Sequence, residues 1–154
     1  LGPAVLDIAG LAFGEVAAKD FASVGTKTTF DEEAREVRDA AIACATIGLP
    51  TLEDETALSG ERDGGAVASH WQGLGCAETV VKLGPAGCRL PDASIEEPET
   101  VLSPIDTSGA GDAFNAGYLG GRLNGADPVA AARAGHALAG WTIMRPGAIP
   151  AAEF

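Results

Sequence analysis

The order of apolar and polar positions improves along the chain. In the first 30 residues, apolar side chains are scattered through Ala- and Gly-rich sequence at no clean period, so Leu1–Val24 is expected to hold at most a helix or two and nothing functional. From Asp31 the period becomes helical. Asp31-Glu32-Glu33 puts carboxylates where a helix N-terminus favours them, with Asp31 as the cap, and Ala34, Val37, Ala41 and Ala45 then recur at helical spacing. Ala45–Leu49 is short, apolar and stopped by Pro50, as a buried strand would be. Leu52–Leu58 reads as a short helix ending near Gly60, and Gly65–Leu74 as another closed by Gly75.

Glu78–Leu83 is the clearest strand, compact, β-branched and bounded by Gly75 and Gly84, and Cys88–Leu90 is expected to pair back on it after the Gly84–Gly87 turn. Glu96-Glu97-Pro98 reads as a solvated turn, and Thr100–Leu102 as a short strand feeding a loop at Asp106. A helix follows from about Gly111 to Leu123, with Phe114, Leu119 and Leu123 on its apolar side, ending near Gly125. Asp127-Pro128, a cap followed by proline at the first helical position, starts the last helix, which carries Val129, Ala132, Leu138 and Trp141 and is broken by Pro146-Gly147. Strands alternating with helices imply an α/β layered fold with a mostly parallel sheet.

Composition narrows the function. The chain has 154 residues, 46% hydrophobic and only 5% aromatic, so it can bury a core, one built from closely packed Ala- and Gly-rich helices. A net charge of -12 argues against nucleic acid and anionic membranes as partners. The same charge requires any site for an anionic substrate to be favourable locally. Cys44, Cys76 and Cys88 are odd in number and form no CxxC, which points to small core residues in a reducing compartment. No apolar run approaches the about 18 residues of a membrane span. No basic region precedes the first apolar stretch, so no signal peptide is read and the cytoplasm is the default location.

Asp106-Thr107-Ser108-Gly109-Ala110-Gly111-Asp112 carries the candidate chemistry. Small residues at 108–111 let backbone approach an anion, and the helix that starts there offers unpaired N–H groups and a positive dipole end. Asp112, in the first turn, can accept a proton from a hydroxyl attacking a phosphate held at Gly109–Gly111. On Gly-Ala-Gly alone, a plain helix start with a capping Asp is the better reading. The longer string, Asp106 to Gly117, is more specific, and it is neither GxGxxG nor GxxxxGK[ST].

That string resembles the second signature of the ribokinase (phosphofructokinase-B type) carbohydrate kinases. The resemblance implies a ribokinase-like layered α/β/α fold, of which residues 31–154 would be the C-terminal part and residues 1–30 remain unassigned. It implies Asp112 as catalytic base, the amides of Gly109, Ala110 and Gly111 as the anion hole, and Asp106 and Ser108 beside the sugar or a monovalent cation. Two further segments agree in order. Val80-Val81-Lys82-Leu83-Gly84-Pro85-Ala86-Gly87 is similar to the family's nucleotide-lining strand and turn, which implies Lys82, Gly84 and Gly87 as ATP contacts. Leu49-Pro50-Thr51-Leu52-Glu53-Asp54-Glu55 is similar to the Asn-x-x-Glu segment tied to Mg²⁺, with Glu55 in the Glu position and Leu52 where the Asn stands. Gly135–Ala139 and Arg145–Pro150 look like the 2-keto-3-deoxygluconate kinase branch.

The activity implied is Mg²⁺- and ATP-dependent phosphorylation of a sugar or sugar acid, with a homo-oligomer for the full-length protein. The alternatives are a kinase for fructose, ribose or a nucleoside, and a non-catalytic nucleotide-binding fragment. Phe114 and Asn115 read as helix packing, His136 as a satisfied core or nucleotide-edge histidine, Arg145 as a surface residue, and His70 as without a role. Lys82 divides evenly between nucleotide contact and simple solvent exposure at a strand end.

Overall fold

The computed structural model describes residues 5–6, 27–100 and 102–150, with side chains from Ala34 onward apart from Val101. The reading of Leu1–Val24 therefore lies outside the described residues, apart from a two-residue strand. The element order is β1 (Val5–Leu6), α1 (Lys27–Ala43), β2 (Ile47–Gly48), α2 (Leu52–Ser59), α3 (Gly64–Leu74), β3 (Glu78–Thr79), β4 (Val81–Lys82), β5 (Cys88–Arg89), β6 (Ile95–Glu96), α4 (Ala110–Leu123) and α5 (Pro128–Ile143). Strands β1, β2 and β3 form a parallel sheet in that order, while β4, β5 and β6 form an antiparallel one. The expected Glu78–Leu83 strand is one extended run that leaves the first sheet at Thr79 and enters the second at Val81. The expected hairpin is present, with Val81 opposite Arg89 and Lys82 opposite Cys88.

Alternation along the strands produces the layers. Ile47, Leu49 and Val80 face one side and pack with Phe114, Tyr118, Ala131 and Ala132 of α4 and α5. Val81 faces the other side and packs with Ile42, Val67, Ala68 and Trp71 of α1 and α3. A Cβ at Gly48 would lie 2.5 Å from the Trp71 ring, so the β2 backbone rests directly on that indole. Helices α4 and α5 approach equally closely. A Cβ at Gly117 would lie 2.6 Å from the Ala134 carbonyl oxygen, and one at Gly135 would lie 2.8 Å from the Phe114 ring. This accounts for the Ala- and Gly-rich composition: small residues at four-residue spacing let two helices meet backbone to backbone.

Helix ends follow their sequence signals. Asp63 caps α3 through the Ala66 amide and Asp127 caps α5 through the Ala130 amide, both at 2.8 Å. Gly60 and Gly75 close α2 and α3 in left-handed conformations. No helix among the described residues is long and apolar enough to cross a membrane.

Several expectations are corrected. Helix α1 begins at Lys27, which puts Asp31 inside it rather than at its cap. Its inner face is also rotated: Val37 is 61% exposed, while Ile42 is buried and Arg38 is turned inward. The arginine stem takes the apolar position because its guanidinium reaches Glu55. Ile95–Glu96 is a strand rather than a solvated turn, its Glu96 carboxylate accepting from Arg133 Nε at 2.7 Å. Thr100 and Leu102 belong to no strand, and Val101 lies outside the described residues. Leu123, Leu138 and Trp141 are exposed, because the buried faces of α4 and α5 are instead Phe114, Asn115, Tyr118, Ala131, Ala132 and Gly135. Cys44 is exposed, whereas Cys76 and Cys88 are buried. Burial, with Glu96 nearby, pushes the Cys88 thiol up to about 12, so it stays protonated and unreactive.

Strand β3 is tied to α4 by a fork. Arg122 Nε and Nη2 donate to the two Glu78 carboxylate oxygens at 2.9 and 2.6 Å, and Tyr118 Oη donates to Oε1 at 2.6 Å. Arg122→Ala would leave a mostly buried carboxylate with Tyr118 alone. It is expected to cost about 2 kcal/mol, below the range for fully buried pairs because Arg122 is partly exposed. The expected fall in Tm is about 4–8 °C. An unchanged melting curve would show that the fork contributes nothing.

Candidate active site

The Asp106–Asp112 loop is fastened at both ends. The Ile105 and Asp106 amides donate to the Ile143 carbonyl at the end of α5, at 2.8 and 3.2 Å. The half-buried Asp106 carboxylate accepts from the Ser108 amide at 2.9 Å and from the Gly147 amide at 2.8 Å. These two N–H groups, Ser108 first, hold its carboxyl below the usual carboxylate range. Gly109 caps α4 in the left-handed region at φ 74°, and a Cβ there would lie 2.4 Å from the Ala148 carbonyl oxygen. A side chain at 109 would therefore be both strained and excluded. The Gly147-Ala148 segment clasps the loop from outside, a contact that spacing alone could not reveal because it joins positions about forty residues apart.

The amides at the start of α4 sort themselves. The Ala110 N–H donates to the Thr107 carbonyl at 3.2 Å and closes the turn. Of the three amides expected to form an anion hole, those of Gly109 and Gly111 have no acceptor among the described hydrogen bonds, and neither has that of Asp112, whereas that of Ala110 is engaged in the turn. The Ser108 and Asp112 side chains are exposed. Asp106, expected beside the sugar or a cation, has both oxygens engaged in fastening the loop.

Lys82 is not a solvent-reaching strand end. It is 6% exposed, and its Nζ donates to Asn115 Oδ1 at 3.0 Å. A Cβ at Gly111 would lie 3.5 Å from that Nζ, so the ammonium sits within van der Waals reach of the loop. Thr51 is paired in parallel with Lys82, whose amide donates to the Pro50 carbonyl at 2.8 Å. Gly84 and Gly87 bound the short 3₁₀ turn that carries the chain back into β5, and a Cβ at Gly87 would overlap the Glu96 carbonyl. Asn115, read from sequence as helix packing, turns out to be the partner of the Lys82 ammonium. Its signal was a polar side chain on the inner face, one turn after Asp112.

Glu55 is not brought to this cluster. It is 3% exposed and accepts from Trp71 Nε1 at 3.2 Å, with Arg38 Nη1 at 3.5 Å from its other oxygen. These described partners lie on α3 and α1, so the carboxylate is neutralised there rather than presented to the loop. Leu52, in the position of the family's Asn, packs into the second core. His136 is a satisfied core residue: its Nε2 lies 3.0 Å from the Glu96 carbonyl, which can only accept, so Nε2 carries the proton. Arg145 stacks over the Trp141 ring at 4.1 Å.

Residues 16–153 match the pfkB family of carbohydrate kinases. The chain belongs to that family. The match begins inside the stretch that the signature motifs leave unassigned. The chain is 39% identical over 124 residues to a 2-dehydro-3-deoxygluconokinase of Dickeya dadantii, covering 77% of this chain and 40% of that protein. A 2-dehydro-3-deoxygluconokinase of Haemophilus influenzae is 30% identical over 144 residues, covering 83% and 46%. The fold is similar to that of aminoimidazole riboside kinase from Salmonella enterica, with a TM-score of 0.67, 27% identity, and coverage of 76% of this chain and 42% of that one. It is also similar to a ribokinase from Thermotoga maritima, with a TM-score of 0.63, 25% identity, and coverage of 73% and 41%. The chain thus spans less than half the length of these pfkB relatives. The expected ribokinase-like α/β class holds.

Two titrations test this architecture. Desolvation lowers the His136 pKa, so the folded state prefers the neutral ring. Its contribution is fully present above the unfolded value near 6.5 and is lost as pH falls below that value. Thermal stability should decline as pH falls below about 6.5, and His136→Gln should flatten that decline; an equal slope in both proteins refutes the assignment. The Asp106 carboxyl, lowered in the folded state, should hold the loop above its unfolded value near 3.9 and release it as pH falls through its own lower value. Asp106→Asn can accept through one oxygen only. Faster amide exchange at Gly147 or Ser108 is expected at neutral pH, and unchanged exchange at both would contradict the double tether.

Proposed function

We infer that the chain carries the phosphoryl-transfer machinery of an ATP-dependent sugar kinase. The observation that supports it most directly is a buried lysine ammonium within reach of a glycine-rich helix start whose amides at Gly109, Gly111 and Asp112 have no described acceptor. Phosphoryl transfer depends mainly on position and charge neutralisation. Asp112 takes the proton of the attacking sugar hydroxyl, whose oxygen bonds to phosphorus as the bond to the leaving ADP oxygen breaks. The three amides and Lys82 hold the negative charge of the group in transit. The turn at Gly84–Gly87 lines the nucleotide.

The donor set suits Mg²⁺ brought with the nucleotide. No group of three or more His, Cys, Asp or Glu able to hold a metal occurs among the described residues, and Mg²⁺ commonly uses one or two carboxylates together with waters and substrate phosphates. With Asp112 kept for the hydroxyl proton, the ion would be held through the nucleotide's phosphates and water. When bound, the ion neutralises phosphate charge and orients it.

The names of the Dickeya and Haemophilus relatives favour 2-keto-3-deoxygluconate as the acceptor. A second reading, a nucleoside-type acceptor, is favoured by the likeness to aminoimidazole riboside kinase. Release of ADP by the purified chain with Mg²⁺-ATP and a panel of sugars, sugar acids and nucleosides decides between them. The expected result is release that requires 2-keto-3-deoxygluconate. Asp112→Asn should lower turnover by about 10²–10⁴-fold with ATP affinity changed only a few-fold. Near-normal turnover in that variant would remove Asp112 from the base role.

A further inference from the structure

We propose that Asn115 is a positioning residue that holds the Lys82 ammonium beneath the Gly109–Gly111 loop, and so sets the affinity of that loop for the nucleotide's phosphates. The proposal rests on the kinase reading above and adds to it a residue that touches neither nucleotide nor sugar.

The two side chains meet because two periodicities coincide. Glu78, Val80 and Lys82 share one face of the extended run, and Asn115, Tyr118 and Arg122 share one face of α4. Glu78 meets Tyr118 and Arg122, Val80 packs in the same core as Tyr118, and Lys82 meets Asn115. The register at the Glu78 end is locked by the fork and by Tyr118. The position of Asn115 against Lys82 is therefore fixed by contacts about one and two helical turns away.

A lysine ammonium ends a flexible four-carbon stem, so its location depends on what it donates to. An ammonium can only donate, which assigns Oδ1 rather than Nδ2 of Asn115 to the 3.0 Å contact. Asn is a poor helix former, and its side chain is buried here. Helix propensity and apolar packing would both favour another residue at 115, whereas holding a buried cation gives Asn a purpose. With an apolar residue at 115 the ammonium loses this acceptor, and its seat beside Gly111 is expected to loosen.

The test is a double-mutant cycle on the full chain, using Mg²⁺-ATP as the probe in titration calorimetry. Lys82→Met is expected to weaken binding about 30-fold and Asn115→Leu about tenfold, as for hydrogen bonds to charged groups. If Asn115 acts through Lys82, the double variant binds no more than about twofold more weakly than Lys82→Met alone. Losses that multiply would show that Asn115 acts by itself and would overturn the proposal. A second readout needs no nucleotide: reductive methylation of Lys82, measured by mass spectrometry as a ratio to Lys19 and Lys27 of the same molecules. The ratio should rise several-fold in Asn115→Leu, and an unchanged ratio overturns the proposal whatever the calorimetry gives. If the unaltered chain binds no Mg²⁺-ATP while the ratio still rises, the kinase reading fails for this chain and the positioning of Lys82 stands. Asn115→Ala carries the same cycle if Asn115→Leu does not fold.

Discussion

The seating of one extended run on one helix face is the constraint from which the rest of the molecule follows. Glu78, Val80 and Lys82 are spaced by the two-residue period of a strand, and Asn115, Tyr118 and Arg122 by the three- and four-residue steps of a helix. The two sets match end to end, with an ion pair at one end, apolar contact in the middle and a buried ammonium at the other. A slip of one residue would turn Val81 toward α4 and send Glu78, Val80 and Lys82 to the opposite layer. Because α4 begins at the glycine loop, the same register that closes the core also delivers Lys82 to the loop. Folding and site assembly are a single event on this face.

The loop depends on a second fastening of a different kind. Its amides must stay unengaged by other protein groups, yet the segment must not move. Asp106 reconciles these demands by reaching backward to Gly147 and forward to Ser108, so that the backbone is fixed by a carboxylate outside the anion-facing amides. Ala110 contributes in the same sense, spending its N–H on the turn at Thr107. Gly109 then turns the chain into α4 through the left-handed region. A carboxylate that looks, in sequence, like a substrate ligand serves as the anchor of the loop.

Much of this was legible in the sequence because it is governed by local rules. The cap at Asp127, the closing glycines at Gly60 and Gly75 and the hairpin after Lys82 each rest on a few neighbouring residues, and each appears where those residues place it. The misreadings share another origin. Val37, Leu123, Leu138 and Trp141 are apolar but exposed, because the buried faces are set by close approach at Gly117, Gly121 and Gly135 and by inward-turned polar groups such as Arg38 and Asn115. A pattern of large apolar residues cannot report a face built from glycine, alanine and satisfied polar side chains. Glu55 was hard to place for a related reason: its two acidic neighbours, Glu53 and Asp54, suggest a solvated helix start, whereas its partners Trp71 and Arg38 come from two other helices.

The net charge of -12 opposes, at long range, the approach of a phosphate to the proposed site. The conflict dissolves when distance and burial are considered together. Surface carboxylates act through water and salt, and their influence fades over about 8–10 Å at physiological ionic strength. Lys82 and the amides at the start of α4 act at contact distance, and the lysine is shielded from solvent by the core around it, where a charge interacts far more strongly than in water. A single buried cation under a helix start can therefore outweigh a larger number of exposed carboxylates for a ligand bound at the loop. This requires the cation to be held in place, since a lysine free to reach solvent would be screened like the rest. The hydrogen bond to Asn115 contributes to that hold, so a neutral residue bears on the electrostatics of a strongly acidic chain.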